Sequence, residues 1–183
     1  MVNGIIVRNL IPRCYFITSG AGESDITIHA GSYHMALEDA GIAGCNIVRY
    51  SSIIPNEARE VKKPKLVHGA ELKVIEARAD ARKGKLATAG ICYGWLYDKK
   101  NSRVGGIVTE YSGDYSQGDA ENELERGLEE IARASFRDKE LRDVKMLIKS
   151  FEPSKRYGTA LVSICFVDFI LPVSGESKMA IKR

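Results

Sequence analysis

The chain is sparing with the residues that announce many common functions. It has one tryptophan, five prolines, three histidines and four cysteines in 183 residues. The cysteines, Cys14, Cys45, Cys92 and Cys165, lie far apart and form no C-x-x-C pair. That excludes a zinc ribbon and a disulfide scaffold, and the apolar neighbours of each thiol predict reduced, buried side chains on strands. His29, His34 and His68 show no H-E-x-x-H spacing, so no metal is expected. The net charge is only +3, which argues against a nucleic-acid partner. No apolar run approaches the roughly 20 residues that cross a bilayer, and no membrane partner is expected. The opening Met1 to Leu10 places Arg8 after Ile5-Ile6-Val7, the reverse of a secretory leader, so a cytoplasmic location is expected.

What remains is an ordinary globular composition, with 44% apolar and 28% charged residues. The length fits one domain over residues 1–183. Residues 1–12 predict an irregular lead-in. A strand follows over Arg13 to Ser19, then a glycine-rich loop, Gly20 to Asp25, in which Glu23 or Asp25 could face a cation. Tyr33, Ala36, Leu37 and Ala40 recur at helical spacing, predicting a helix from Ser32 to Ala40 that stops at Gly41. Cys45 to Tyr50 predicts a strand, residues 56–65 a surface loop, and Gly69 to Ala79 a partly alternating strand with Leu72, Val74 and Glu76 on one parity. Leu86 to Tyr97 and Val104 to Ser112 predict an antiparallel hairpin. Ser116 followed by Asp119 resembles a capping box and opens a helix with Leu124, Leu128, Ile131 and Ser135 on its apolar face. Leu141 to Phe151 and Tyr157 to Ile170 close the chain as strands, before a polar tail. The order predicts an α+β fold with a mixed sheet.

The informative stretch is Asn46-Ile47-Val48-Arg49-Tyr50-Ser51-Ser52-Ile53-Ile54-Pro55. Two adjacent serines after a strand usually make a turn. They can also support an internal acyl shift, in which the Ser52 hydroxyl attacks the Ser51 carbonyl. On one extended strand Asn46 and Ser52 would share a side-chain parity. The Asn46 amide could then donate to the oxyanion.

This run resembles the processing site of the pyruvoyl-dependent arginine decarboxylases. The similarity extends to Gly22-Glu23-Ser24-Asp25 and Ala40-Gly41-Ile42 upstream, and to Pro64-Lys65-Leu66 and Gly106-Ile107-Val108-Thr109-Glu110-Tyr111 downstream, over roughly residues 14 to 170. The resemblance implies a four-layer αββα sandwich with mixed or antiparallel sheets, assembled as a homotrimer with active sites between neighbouring subunits. It implies self-cleavage between Ser51 and Ser52 into a small chain, 1–51, and a large chain, 52–183. Ser52 would become a covalent pyruvoyl group, with no pyridoxal phosphate and no metal. The substrate implied is L-arginine, bound as a Schiff base and released as agmatine and CO2. Glu110 matches the family's proton donor, Asn46 an asparagine near the processing site and substrate, and Ile53 a residue at the substrate. His34 stands where the family carries an aspartate that would suit a guanidinium. Either another acid (Glu38, Asp39, Glu23 or Asp25) takes over, or the substrate is a different amino acid. An unprocessed chain that binds a small cationic metabolite or a partner subunit is the third possibility.

Overall fold

A computed structural model describes residues 9–172. The opening residues 1–8 and the tail from 173 onward lie outside the described residues, and with them most of the expected lead-in and polar tail. In order, the elements are β1 (Ile11–Ser24), a π-helical turn (Ile28–Tyr33), α1 (His34–Asp39), β2 (Asn46–Arg49), β3 (Ile53–Pro55), β4 (Arg59–Glu60), β5 (Glu71–Arg82), β6 (Ala87–Tyr97), β7 (Arg103–Gly113), α2 (Gln117–Ser135), β8 (Glu140–Phe151) and β9 (Tyr157–Ile170).

Two sheets form: a five-stranded one ordered β2-β5-β9-β1-β4 and a four-stranded one ordered β3-β7-β6-β8. Most pairs are antiparallel, while β1 with β4 and β2 with β5 are parallel, so the expected mixture of directions is present. Period-two alternation sorts β5 cleanly. Ile75, Ala77 and Ala79 enter a core shared with Ala87, Ala89, Ile91 and Tyr93 of β6 and Val162 and Ile164 of β9. Leu72 and Val74 point the other way, into a core with Ala36 and Leu37 of α1. A third core joins Ala120, Leu124 and Leu128 of α2 to Cys92 and Ile107. The first core draws on both sheets, the second joins α1 to β5, and the third joins α2 to β6 and β7.

Several local expectations need correction. The glycine-rich segment is strand, because β1 continues through Ser24. Its glycines serve contact: a Cβ on Gly20 would strike the Ala36 carbonyl, and one on Gly22 the Ala36 amide and Ser32 carbonyl. Glu23 and Asp25 bind a neighbouring turn. Glu23 accepts from the Ser154 amide at 2.6 Å and hydroxyl at 2.9 Å, and Asp25 accepts from the Arg156 amide at 3.1 Å, so both hold the β8–β9 turn. The first helix starts as a wide π-helical turn and becomes α-helical only from His34. Residues 56–65 contain the short strand β4. Cys45 is half-buried, while Cys14, Cys92 and Cys165 are buried, and all four thiols are free.

The hairpin β6–β7 pairs antiparallel as expected. The cap of α2 is also as expected: Ser116 Oγ accepts from the Asp119 amide at 3.2 Å. The buried face of α2 is rotated from the expected one. Ala120, Leu124 and Leu128 are covered, whereas Ile131 remains 38% exposed. The two closing strands do not neighbour each other in one sheet. β8 edges the four-stranded sheet and β9 is central to the five-stranded one.

Gly20→Ala should force α1 off β1, because the atoms it would strike are backbone and cannot rotate away. The expected loss is about 2–3 kcal/mol, in the range of overpacked cores, read as a lower midpoint in thermal or urea unfolding.

Candidate functional site

The site lies where the chain changes sheets. β2 is an edge strand that runs parallel to β5 and keeps its ladder through the Tyr50 amide, which donates to the Val74 carbonyl at 2.7 Å. Three residues later the chain has joined the other sheet, with Ile53 registered opposite Ile107 of β7. Asn46 and Ser52 therefore do not share one strand, and the parity that linked them does not apply. The break falls at two small serines, which carry no apolar surface to hold them in either sheet.

Ser51 and Ser52 are nonetheless well anchored. The Ser52 carbonyl accepts from the Val108 amide at 3.0 Å, and the Ser51 carbonyl accepts from the Ile53 amide at 2.8 Å. The second bond closes a tight turn centred on Ser52. It also sets an N–H donor on the carbonyl that the Ser52 hydroxyl would attack. The hydroxyl itself donates to Glu110 Oε1 at 2.8 Å and Oε2 at 2.9 Å. β7 delivers Glu110 to this place by alternation. Val108 faces the core between the sheets, and Glu110 has the same parity two residues on, at the open edge.

Glu110 is an exposed residue, yet protein packs around its carboxylate. Burial raises it above an ordinary glutamate, and the Ser52 hydroxyl and its own backbone amide pull it partly back. The arrangement can thus accept a proton from Ser52 and hold one more readily than a fully solvated glutamate.

The other expected residues gather elsewhere. Asn46 donates through Nδ2 to the Gly69 carbonyl at 2.7 Å, and no hydrogen bond joins it to Ser51 or Ser52 among the described residues. The donor beside the Ser51 carbonyl is the Ile53 amide instead. Asn46 and His34 share a pocket of about 430 Å³ with His29, Tyr33 and Arg49. His34 Nε2 stands 3.4 Å from Glu38 Oε1, one helical turn on. Asp39 accepts from the Ala21 amide at 2.9 Å. Of the four acids weighed for a cationic side chain, Glu38 alone stands beside His34. Ile53 is 54% exposed on edge strand β3. No group of three or more metal-ligating side chains gathers among the described residues, and no helix there is long and apolar enough to span a membrane.

Residues 14–170 match the family model described as pyruvoyl-dependent arginine decarboxylase. This chain belongs to that family. A pyruvoyl-dependent arginine decarboxylase of Methanopyrus kandleri is 32% identical over 157 residues, covering 85% of this chain and 97% of the relative. A protein named pyruvoyl-dependent arginine decarboxylase 2, from Archaeoglobus fulgidus, is 33% identical over 68% of this chain and 78% of its own length. A third such decarboxylase, from Methanocaldococcus jannaschii, is 30% identical over 69% of this chain and 72% of the relative. The family depends on a covalent pyruvoyl group, and the residues at the sheet crossing fit one. Ser52 has the side chain from which such a group can be made, its hydroxyl is engaged by a carboxylate, and a backbone donor sits on the adjacent carbonyl.

One cluster was not assigned a role from sequence. Arg49 pairs with Glu76 at 2.6 Å, and the Glu76 side chain has no solvent-accessible surface. The available signal was an acid on the same parity as Leu72 and Val74, the face of β5 that packs with α1.

The desolvated Glu110 has a testable sign. Its folded pKa lies above its unfolded one, so the stability tied to its protonated form is present at low pH and lost as pH rises through the folded pKa. In an uncleavable Ser52→Ala background, Glu110→Gln should therefore raise the thermal midpoint at pH 7. The advantage should vanish as pH falls toward about 4, near the unfolded pKa of glutamate. An advantage that persists at acid pH would show that the carboxylate is not desolvated.

Proposed function

We propose that the chain cleaves itself between Ser51 and Ser52 and then, through the pyruvoyl group so formed, decarboxylates L-arginine to agmatine. The observation that carries this reading is the Ser52 hydroxyl donating to both oxygens of Glu110, one residue beyond a carbonyl that holds an N–H donor.

The processing sequence balances as follows. The Ser52 oxygen adds to the Ser51 carbonyl carbon while Glu110 takes its proton, and the Ile53 amide stabilises the oxyanion. The C–N bond to Ser52 breaks, its nitrogen takes the proton from Glu110, and the two residues are joined as an ester. Loss of the residue-52 α-proton expels the Ser51 carboxylate and leaves dehydroalanine. Addition of water with loss of ammonia turns this into a pyruvoyl group at the head of 52–183. The small chain ends in a free carboxylate at Ser51.

In the mature enzyme the pyruvoyl ketone supplies the electron sink that decarboxylation of an amino acid requires. The residues of the chain do the rest. Glu110, raised in pKa by burial, holds a proton for the substrate α-carbon after CO2 departs. Ile53, exposed next to the reacting residue, offers an apolar wall for the substrate stem. Asn46 and His34, with Glu38 beside it, line the pocket for the polar end of the substrate.

Assembly belongs to the same proposal. The helix-sheet-sheet-helix order of the three cores favours the four-layer αββα sandwich. Asn46 and His34 line a pocket apart from the Ser52–Glu110 pair, which favours a homotrimer in which a neighbouring copy brings the two halves together. A cytoplasmic location accompanies it.

Denaturing intact-mass measurement should give two fragments, residues 1–51 and 52–183, the larger one blocked by a pyruvoyl group. Ser52→Ala should leave one full-length chain, and cleavage persisting there at the same bond would sink the assignment. Glu110→Gln should slow CO2 release from arginine by about 10²–10⁴, the usual weight of a general acid. Unchanged turnover would remove Glu110 from that role.

A further inference from the structure

The Arg49–Glu76 pair is the largest polar investment that the proposed chemistry leaves unused. It lies on the helix-facing side of the five-stranded sheet. The Arg49 guanidinium reaches Glu76 Oε1 at 2.6 Å; Arg49 is 58% exposed at its side chain, whereas Glu76 is fully buried. The Tyr33 hydroxyl donates to the same carboxylate at 3.2 Å, and Arg78 lies over the Tyr33 ring, 4.1 Å from its centroid. Burial, reinforced by Glu76, pushes Tyr33 up to about 12, so its hydroxyl remains a donor. Glu76 is thus a fixed post, held from one side by the helix and open to one residue of β2.

The next residue is anchored on the opposite face. Tyr50 packs its ring 5.8 Å from that of Phe166, in the core between the sheets, and its amide continues the β5 ladder. Successive residues are therefore pinned on the two faces of a sheet edge, which fixes the rotation of the backbone where it leaves the sheet. The next peptide bond but one is Ser51–Ser52. On its far side Val108 holds the Ser52 carbonyl and Glu110 the hydroxyl. The attacking oxygen is held by β7 of the four-stranded sheet, and the backbone that carries the attacked carbonyl leaves the five-stranded sheet at Tyr50.

We propose that the Arg49–Glu76 pair is a positioning device for self-cleavage: it sets the Ser51 carbonyl against the Ser52 hydroxyl across the sheet crossing. The inference rests on the self-cleavage reading above. An ion pair with one partner exposed and the other enclosed adds little stability, and its directional bond is better suited to orientation. An acyl shift is sensitive to such placement, since a displacement of about 1 Å can cost on the order of 10²-fold in rate.

The test is the double variant Arg49→Met with Glu76→Gln, which removes both charges and leaves none buried. Fragment appearance is followed by intact mass beside the wild type, with and without hydroxylamine, and thermal midpoints are measured on the same samples. The expected result is a midpoint close to wild type and cleavage slowed about tenfold or more. Hydroxylamine should not restore the rate, because the slowed step precedes the ester it attacks. Cleavage at the wild-type rate would overturn the inference, as would a slowed variant that hydroxylamine restores. If the double variant does not fold, Tyr33→Phe serves: it removes one donor to Glu76 and keeps the ring. It should slow cleavage several-fold, and an unchanged rate would overturn the inference. A wild-type chain that never cleaves would overturn the self-cleavage reading together with this one, whereas cleavage indifferent to these variants overturns this one alone.

Discussion

The hydrogen bond between Ser52 and Glu110 is the contact to which the rest of the architecture is subordinate. Neither residue could reach the other along the chain. They meet because β2 ends at the edge of one sheet and β3 begins at the edge of the other, with β7 presenting Glu110 at the seam. The sheets in turn face each other because β5, β6 and β9 carry alanines on the shared side, allowing close approach around Tyr15, Tyr93 and Phe166. α1 shares a core with β5 and α2 one with β6 and β7, and α1 can lie close to β1 only because Gly20 and Gly22 have no side chain. A constraint on strand packing thereby becomes a constraint on the distance between a hydroxyl and a carboxylate.

The electrostatics follow the same geometry. Glu110 and Glu76 are both carboxylates with protein packed around them, and they are treated differently. Glu76 is enclosed and neutralised by Arg49, with Tyr33 as a second donor. Glu110 has a hydroxyl and no close cation in its hydrogen bonding, so its desolvation goes uncompensated by charge. One is suited to hold position, the other to exchange a proton.

Much of this was legible in the sequence where local rules suffice. The 3.6-residue period and Ser116 marked α2, and the polar turn Asp98 to Ser102 marked the β6–β7 hairpin. The shared parity of Leu72, Val74 and Glu76 on β5 was visible, though the opposite parity, with Ile75, Ala77 and Ala79, is buried too. The family resemblance singled out Ser52 and Glu110, which the fold brings into contact, but local patterning had no means of pairing positions 58 residues apart. What escaped depends on partners distant in sequence. Gly20 to Gly22 have loop composition, and only the helix lying on them explains why they are strand. The run from Asn46 to Pro55 looks like one strand until the second sheet claims Ile53. α2 turned its face from Ile131 because Ala132 and Phe136 pack toward the core it shares with β6. Glu23 and Asp25 resemble site acids until the β8–β9 turn supplies their donors.

The position of β1 has a further consequence. It runs beside β9 from Ile11 to Ser24 and sits inside the five-stranded sheet, with β4 on its other flank. A chain divided after residue 51 would keep β1, α1 and β2 on the short piece, and β9, β5 and β4 on the long one. The two pieces would be interleaved in the five-stranded sheet, and the short one would own no complete sheet or core. They would melt as one body, and the short piece taken alone would have no fold to return to.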